Sequence, residues 1–112
     1  MSGAITLSSH VLDTATGRPA EGLRITLLDE AGEVLCEAET DADGRVRGWP
    51  GADPLAPARY RLRFGVGRWQ DGQGSAGFYD DVDVAFRATE AGAHYHVPLL
   101  LSPYGYSTYR GS

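Results

Sequence analysis

The stretch HYHVPLLLSPYGYSTYRGS, residues 94–112, organises the chain. It opens with His94 and His96, and in a β-strand a spacing of two residues places both imidazoles on one face. Leu99 and Leu101 then alternate with their neighbours, which indicates a strand with at least one buried face. The stretch therefore predicts a strand that is apolar at its far end and carries two titratable rings at its start.

The C-terminal part of this stretch is unusual for a chain end. Ser102-Pro103 predicts the end of the strand, because proline has no N–H to donate to a neighbouring strand. The last four residues are Tyr109-Arg110-Gly111-Ser112, whereas chain ends usually fray into dispensable polar residues. We expect this tail to be held in place for a functional reason.

Length and composition restrict the class of protein. A chain of 112 residues predicts one domain, residues 1–112, and a net charge of −5 argues against a nucleic-acid partner. The single cysteine, Cys36, cannot form an intrachain disulfide and is interpreted as a small buried residue. The sequence shows neither a signal peptide nor an apolar run of about 20 residues, so we expect a cytoplasmic protein without a membrane partner.

The remaining chain alternates short apolar strands with turn residues. Seven or eight strands at this spacing predict an all-β sandwich of antiparallel strands. Glycines interrupt residues 65–77, so we expect at most a short helix around 68–72. The predicted strands span 5–12, 23–29, 34–40, 45–49, 59–64, 81–86, 94–101 and 106–109.

Three histidines, His10, His94 and His96, are the side chains best suited to proton transfer near neutral pH. The pair on one strand is also compatible with two zinc ligands, with His10 as a third. A strand histidine in a small domain is, however, more often exposed or hydrogen-bonded than metal-bound. We therefore expect no metal, and elemental analysis of the purified protein separates the two hypotheses.

Five segments together resemble the transthyretin-like family, which contains hydrolases as well as hormone carriers. The resemblance extends over nearly the whole chain, and the C-terminal tetrapeptide is the mark of the hydrolases within the family. The segments are LSSHVLD at 7–13, GRPA at 17–20, TDADGRV at 40–46, FY at 78–79 and YRGS at 109–112.

This resemblance implies an eight-stranded sandwich with one short helix, assembled as a homotetramer around a central channel that holds the active sites. The implied reaction is the hydrolysis of 5-hydroxyisourate, a product of urate oxidation, without metal or organic cofactor. The implied catalytic residues are His10, Arg45, His96 and Ser112, and the implied substrate-binding residues are Thr108, Tyr109, Arg110 and Gly111.

These residue types suit the implied chemistry. A neutral imidazole accepts the proton of an attacking water, and two histidines can divide the roles of base and acid. The guanidinium groups of Arg45 and Arg110 offer paired donors to a carbonyl edge and to a developing oxyanion. Hydroxyls of the tail can orient the water, whereas His94 is interpreted as a rim or interface residue.

The sequence departs from the family pattern at Asp80, where relatives commonly have proline, and in its glycine-rich helix segment. Two alternatives remain open beside the hydrolase and the metal site. A carrier of a small aromatic ligand requires an apolar, chemically quiet channel, which titratable rings and guanidinium groups do not provide. A sandwich that only mediates protein contacts leaves the tail unexplained.

Overall fold

The computed structural model describes residues 4–52 and 54–112, which form nine strands and one helix. Two of the strands, β2 and β5, contain only two residues each. The elements are β1 Thr6–Asp13, β2 Arg18–Pro19, β3 Arg24–Asp29, β4 Val34–Glu39, β5 Arg45–Val46, β6 Ala58–Phe64, α1 Val66–Gln73, β7 Val82–Ala88, β8 His94–Ser102 and β9 Gly105–Thr108.

The strands form two sheets that enclose one core, which confirms the predicted β-sandwich. One sheet has the order β2-β1-β8-β9, with β5 also paired to β1, and the other has the order β4-β3-β6-β7. The strands pair antiparallel except for β1 and β8, which are parallel over eight residue pairs. The expectation of a wholly antiparallel sandwich is wrong for this pair, whose strands are separated by most of the chain.

The core is built from the inward-facing residues of both sheets. On β1, Leu7 and Val11 are buried, and on β8 the same holds for Leu99 and Leu101. The polar side chain of Ser9 shares this layer. It is accommodated there because its hydroxyl donates a hydrogen bond of 2.7 Å to a backbone carbonyl of β8. With these positions facing inward, the alternate residues of β1 and β8 are presented on the outer face of the sheet.

The helix is longer than the sequence predicts. It spans Val66–Gln73 rather than 68–72, and Gly74 ends it with a φ of 68°. Gly67 lies against a backbone turn, where a Cβ would stand 2.9 Å from the Asp80 carbonyl oxygen. Tertiary packing therefore overrides the weak helix propensity of this glycine. In the described part of the chain, no helix is long and apolar enough to cross a membrane.

Two strand boundaries also differ from the prediction. The predicted strand 45–49 ends at Val46, and Trp49 instead turns into the core, where its indole N–H donates a 3.0 Å hydrogen bond to the Leu7 carbonyl. The connection between the first two predicted strands, which end at residue 12 and begin at residue 23, contains the short β2, which pairs with the end of β1. Both short strands flank β1, so β1 is the centre of the sheet that carries the histidines.

Candidate active site

The parallel pairing of β1 and β8 brings the three histidines to one face. Thr6 lies beside His94 and Ser8 beside His96, and two residues further on His10 lies beside Pro98. All these positions alternate with buried core positions, so their side chains point outward. Two strands from opposite ends of the sequence thus form one surface of imidazoles and hydroxyls.

Arg45 joins this surface from the other side of β1. It opens the short β5, whose register pairs Arg45 with His10. Its side chain is half-buried, as are those of His10 and His96. Within residues 4–52 and 54–112, Arg45 forms no ion pair within 4.0 Å. A largely desolvated cation without a carboxylate partner is suited to bind an anionic group.

The turn before Arg45 fixes its position. The Asp41 carboxylate accepts hydrogen bonds from the backbone N–H groups of Asp43, at 2.9 Å, and Arg45, at 3.0 Å. The bond from Arg45 is the main cause that lowers the Asp41 pKa. Gly44 has a φ of 74°, and a Cβ there would stand 2.5 Å from the Val11 carbonyl oxygen. Glycine is therefore required where this turn packs on β1.

Burial and the neighbouring cation keep His10 neutral. Its pKa is lowered from the ordinary histidine value, first by burial and second by the positive charge of Arg45. A hydrogen bond with the Asp43 backbone and the carboxylates of Asp41 and Asp43 act in the opposite direction but do not prevail. His10 is therefore available as an unprotonated imidazole at neutral pH.

His96 behaves in the same way. Burial is the largest cause that lowers its pKa, followed by the charges of Arg45, His10 and His94. A hydrogen bond with the Ser8 backbone opposes these effects. The positive charge of Arg45 thus lowers the pKa of both half-buried imidazoles, so the three groups are electrostatically coupled.

The C-terminal tail closes over His96. The Gly111 N–H donates a 2.8 Å hydrogen bond to the His96 carbonyl. A Cβ on Gly111 would overlap the His96 imidazole, so the tail approaches the ring as closely as its backbone allows. Ser112 follows directly and is exposed. The expectation of a fixed tail is met at Gly111, beside one of the two half-buried rings.

A surface hollow of about 440 Å³ lies on this face. A hollow of about 530 Å³ lies instead on the other sheet, and its lining includes charged side chains engaged in ion pairs, such as Arg24 with Glu37 and Arg63 with Asp83. We place the site by its chemistry rather than by volume, because the histidines lie on the first face. The smaller hollow is lined by Ser8, Ser9, Arg45, Arg47 and His94.

Comparison with known proteins identifies the family. The HIUase/Transthyretin family matches residues 7–111. The chain belongs to the HIUase/Transthyretin family. A 5-hydroxyisourate hydrolase of Salmonella typhi is 42% identical over 98% of this chain and 83% of that protein. The 5-hydroxyisourate hydrolase of Klebsiella pneumoniae, whose structure is solved, is 41% identical over 96% of this chain and 99% of its own, and superposes with a TM-score of 0.86.

The carrier branch of the HIUase/Transthyretin family shares the fold at lower identity. Sea bream transthyretin, solved in complex with thyroxine, is 28% identical over 95% of this chain and 94% of its own, with a TM-score of 0.86. The TM-scores are equal, so the fold does not separate the two branches. The separation depends on sequence identity and on the chemistry of the outward face.

Two of the predicted site residues, Arg110 and Thr108, have their side chains engaged away from the histidine surface. The Arg110 guanidinium stacks on the Tyr95 ring, 4.5 Å from its centroid, and Tyr95 alternates with His96 toward the opposite face. The Thr108 hydroxyl donates a 2.8 Å hydrogen bond to the Pro98 carbonyl. Within one subunit, the structure thus joins His10, Arg45, His96 and Gly111. Thr108, Tyr109 and Arg110 line a second hollow of about 360 Å³, which they share with His96 but not with His10 or Arg45.

The metal hypothesis finds no ligand set in the described residues. Across residues 4–52 and 54–112, no three His, Cys, Asp or Glu side chains are grouped so that they could hold a metal ion. The histidines instead bond to hydroxyls, with the Ser8 hydroxyl 3.0 Å from His94 Nε2 and 2.8 Å from His96 Nδ1. Ser8 was missed as a functional residue, although strand alternation places it on the His10 face.

Proposed function

We propose that this protein hydrolyses 5-hydroxyisourate to 2-oxo-4-hydroxy-4-carboxy-5-ureidoimidazoline, a step of urate degradation. The observation that carries the proposal is the half-buried Arg45, which has no ion-pair partner among the described residues and lies beside two imidazoles whose pKa values it lowers. The 42% identity to a named 5-hydroxyisourate hydrolase supports an enzyme of this activity. A titratable site of this kind does not suit a passive carrier.

The reaction adds water to an acyl carbon of the ring. One imidazole accepts a proton from water as the oxygen–carbon bond forms, and Arg45 binds the oxyanion that develops on the carbonyl oxygen. The carbon–nitrogen bond then breaks, and the ring nitrogen receives a proton from an imidazole. His10 and His96 are the two imidazoles available, since both favour the neutral form.

We assign Thr108, Tyr109, Arg110 and Gly111 to substrate binding and Ser112 to catalysis. The position of Gly111 against His96 supports this assignment, because Ser112 follows directly in the chain. Tyr109 is exposed and free to cover a bound ring. Arg110 is stacked on Tyr95, so its participation requires that the guanidinium leave that ring. The proposed role of Thr108 requires its hydroxyl to release the Pro98 carbonyl.

We further propose that the chain is a single domain that assembles as a homotetramer in the cytoplasm and requires no metal or organic cofactor. Support for the assembly comes from exposed aromatic side chains near β9, including Phe78, Tyr104 and Tyr106. Solvent-exposed aromatic rings are enriched at protein interfaces. Sedimentation equilibrium of the purified protein is expected to give four times the chain mass, and a monomer would contradict the assembly.

The test of the activity is ultraviolet monitoring of freshly generated 5-hydroxyisourate with and without the protein. We expect the protein to accelerate its loss well beyond spontaneous decay. Protein treated with a metal chelator serves as the control for a bound ion, and we expect it to be as active as the untreated protein. Saturable binding of 5-hydroxyisourate without accelerated decay would favour the carrier, and neither binding nor turnover would reject the site.

A further inference from the structure

A continuous chain of side-chain hydrogen bonds runs along the outward face from His96 to Thr6. The Ser8 hydroxyl lies 2.8 Å from His96 Nδ1 and 3.0 Å from His94 Nε2. The Thr6 hydroxyl lies 2.6 Å from His94 Nδ1. These contacts engage both ring nitrogens of His94 but only Nδ1 of His96, so the chain begins at His96 Nε2.

The valence of the groups restricts how this chain is arranged. A serine hydroxyl has one hydrogen, so Ser8 donates to one imidazole and accepts from the other. A neutral imidazole likewise donates from one nitrogen and accepts at the other. The chain therefore has two consistent arrangements, and in one of them His96 Nδ1 donates to Ser8 while Nε2 presents a lone pair. In the other, every hydrogen bond is reversed and His96 Nε2 carries the hydrogen.

Resting on the hydrolytic function proposed above, we propose that Ser8 and His94 form a proton relay that connects His96 to solvent. When Nε2 of His96 takes a proton from the attacking water, Nδ1 passes its own proton to Ser8. Ser8 passes its proton to Nε2 of His94, whose Nδ1 proton leaves through Thr6 to solvent. One proton enters, one leaves, and His96 remains neutral. The departing ring nitrogen is then protonated through the other imidazole, His10, which takes up a proton from solvent.

The relay assigns different roles to the two half-buried imidazoles. His94 is exposed, so it exchanges protons with solvent, whereas His96 is half-buried under the tail. The ring of His10 instead interacts with the Asp43 backbone, and within the described residues no hydroxyl side chain bridges it to another imidazole. His96 is thus the base that loses its proton through the chain. Ser8 and His94 act through it as positioning residues.

The kinetic test compares Ser8→Ala with Ser8→Thr, which keeps the hydroxyl. We expect Ser8→Ala to lower kcat by about tenfold with KM within about twofold, and Ser8→Thr to retain most of the activity. His94→Gln is expected to show the same loss, and the double variant S8A/H94Q to fall no further, because both changes interrupt one relay. Unchanged kcat in Ser8→Ala, or losses that multiply, would overturn the proposal.

Two further measurements separate the relay from a structural role. Rates in mixtures of H₂O and D₂O are expected to show more than one proton in flight in the parent and a single proton in Ser8→Ala. The ¹⁵N shifts of the His96 ring in the ligand-free protein are expected to change in Ser8→Ala but not in Ser8→Thr. If the parent protein failed to consume 5-hydroxyisourate, the proposed function would fall, whereas unchanged ¹⁵N shifts would reject the hydrogen-bonded chain itself.

Discussion

The outward faces of the two sheets follow the same alternation but carry opposite chemistry. On β6, arginines occupy every second position, and two of them pair with carboxylates: Arg59 with Glu30 and Arg63 with Asp83 at 2.8 Å. On β1 and β8, the same alternation presents hydroxyls and imidazoles. Of the two arginines that line the hollow on that face, Arg47 pairs with Asp41 and Asp43, whereas Arg45 forms no ion pair among the described residues.

This difference shows how pairing controls reactivity. Exposed ion pairs contribute little free energy, because solvent screens them and each charge is already satisfied. The half-buried Arg45 has no carboxylate within ion-pair distance in residues 4–52 and 54–112, so its field acts on the adjacent His10 and His96. The face that holds this unpaired cation beside two imidazoles is therefore the one suited to bind an anion and to move protons.

The largest effect is expected from removing an imidazole from the site face. His96→Asn and His10→Asn, measured separately, are each expected to lower kcat/KM by about 10²–10⁴-fold, because proton transfer to water is lost. The matched control is Arg63→Gln on the opposite face, which is expected to stay within about twofold of the parent. Turnover equal to that of the parent protein in both histidine variants would eliminate the mechanism.

Arg45→Gln is expected to lower kcat/KM by about 10²-fold at pH 8 by removing oxyanion stabilisation. It also changes the pH profile. Burial and Arg45 lower the pKa of His96, so the base form persists below histidine's usual value of about 6.5. Without the cation, the His96 pKa rises and the acid limb of kcat/KM moves to higher pH, which adds a further loss in the acidic range.

Arg45→Lys is the control for this experiment, because it keeps the positive charge but loses the planar pair of donors. Its acid limb is expected to stay near that of the parent while kcat/KM falls. If the limb of Arg45→Gln coincided with that of Arg45→Lys, the charge of residue 45 would not set the pKa of the base.

Gly44→Ala compares two turns, one on each sheet. At Gly44 the φ is 74° and a Cβ would stand 2.5 Å from the Val11 carbonyl oxygen, whereas at Gly32 the φ is 90° and nothing lies within 4 Å. Gly32→Ala is expected to destabilise by about 1–2 kcal/mol through φ alone. Gly44→Ala is expected to exceed it and, in addition, to lower kcat by displacing Arg45. Urea denaturation and turnover measured on both variants test this, and equal behaviour would contradict the close packing at Gly44.

Much of the site face was predictable because it depends on local alternation. The outward direction of His94 and His96 follows from their spacing, and the burial of Leu99 and Leu101 follows from the same period. The parallel register of β1 and β8 was not predictable, because it joins residues separated by most of the chain. That register is what places Ser8 beside both rings, and no local pattern reports it.

Tertiary contacts explain the other differences between sequence and structure. The glycines of residues 65–77 disfavour a helix, yet Gly67 is needed where the helix packs against the backbone of Asp80. A Cβ at this position would stand only 2.9 Å from the Asp80 carbonyl oxygen. The tail was expected to bring Arg110 to the histidines, but its guanidinium lies on the Tyr95 ring. Side-chain stacking of this kind depends on the strand that the tail meets, which composition does not specify.

The smallest effect is expected from the paired face itself. A hydrogen bond from Arg63 is the main cause that lowers the Asp83 pKa. The pair therefore stabilises the fold fully at pH values above the usual aspartate pKa. This contribution is lost as the pH falls through the lowered pKa of Asp83. Because both side chains are exposed, Asp83→Asn is expected to destabilise by at most about 1 kcal/mol at neutral pH and by progressively less at an acidic pH below the usual aspartate value. Thermal denaturation at the two pH values measures this, and kcat of the same variant is expected to match the parent. A loss of activity beyond twofold would mean that charge on one face reaches the imidazoles of the other through the core, and the contrast between the two faces would no longer explain the site.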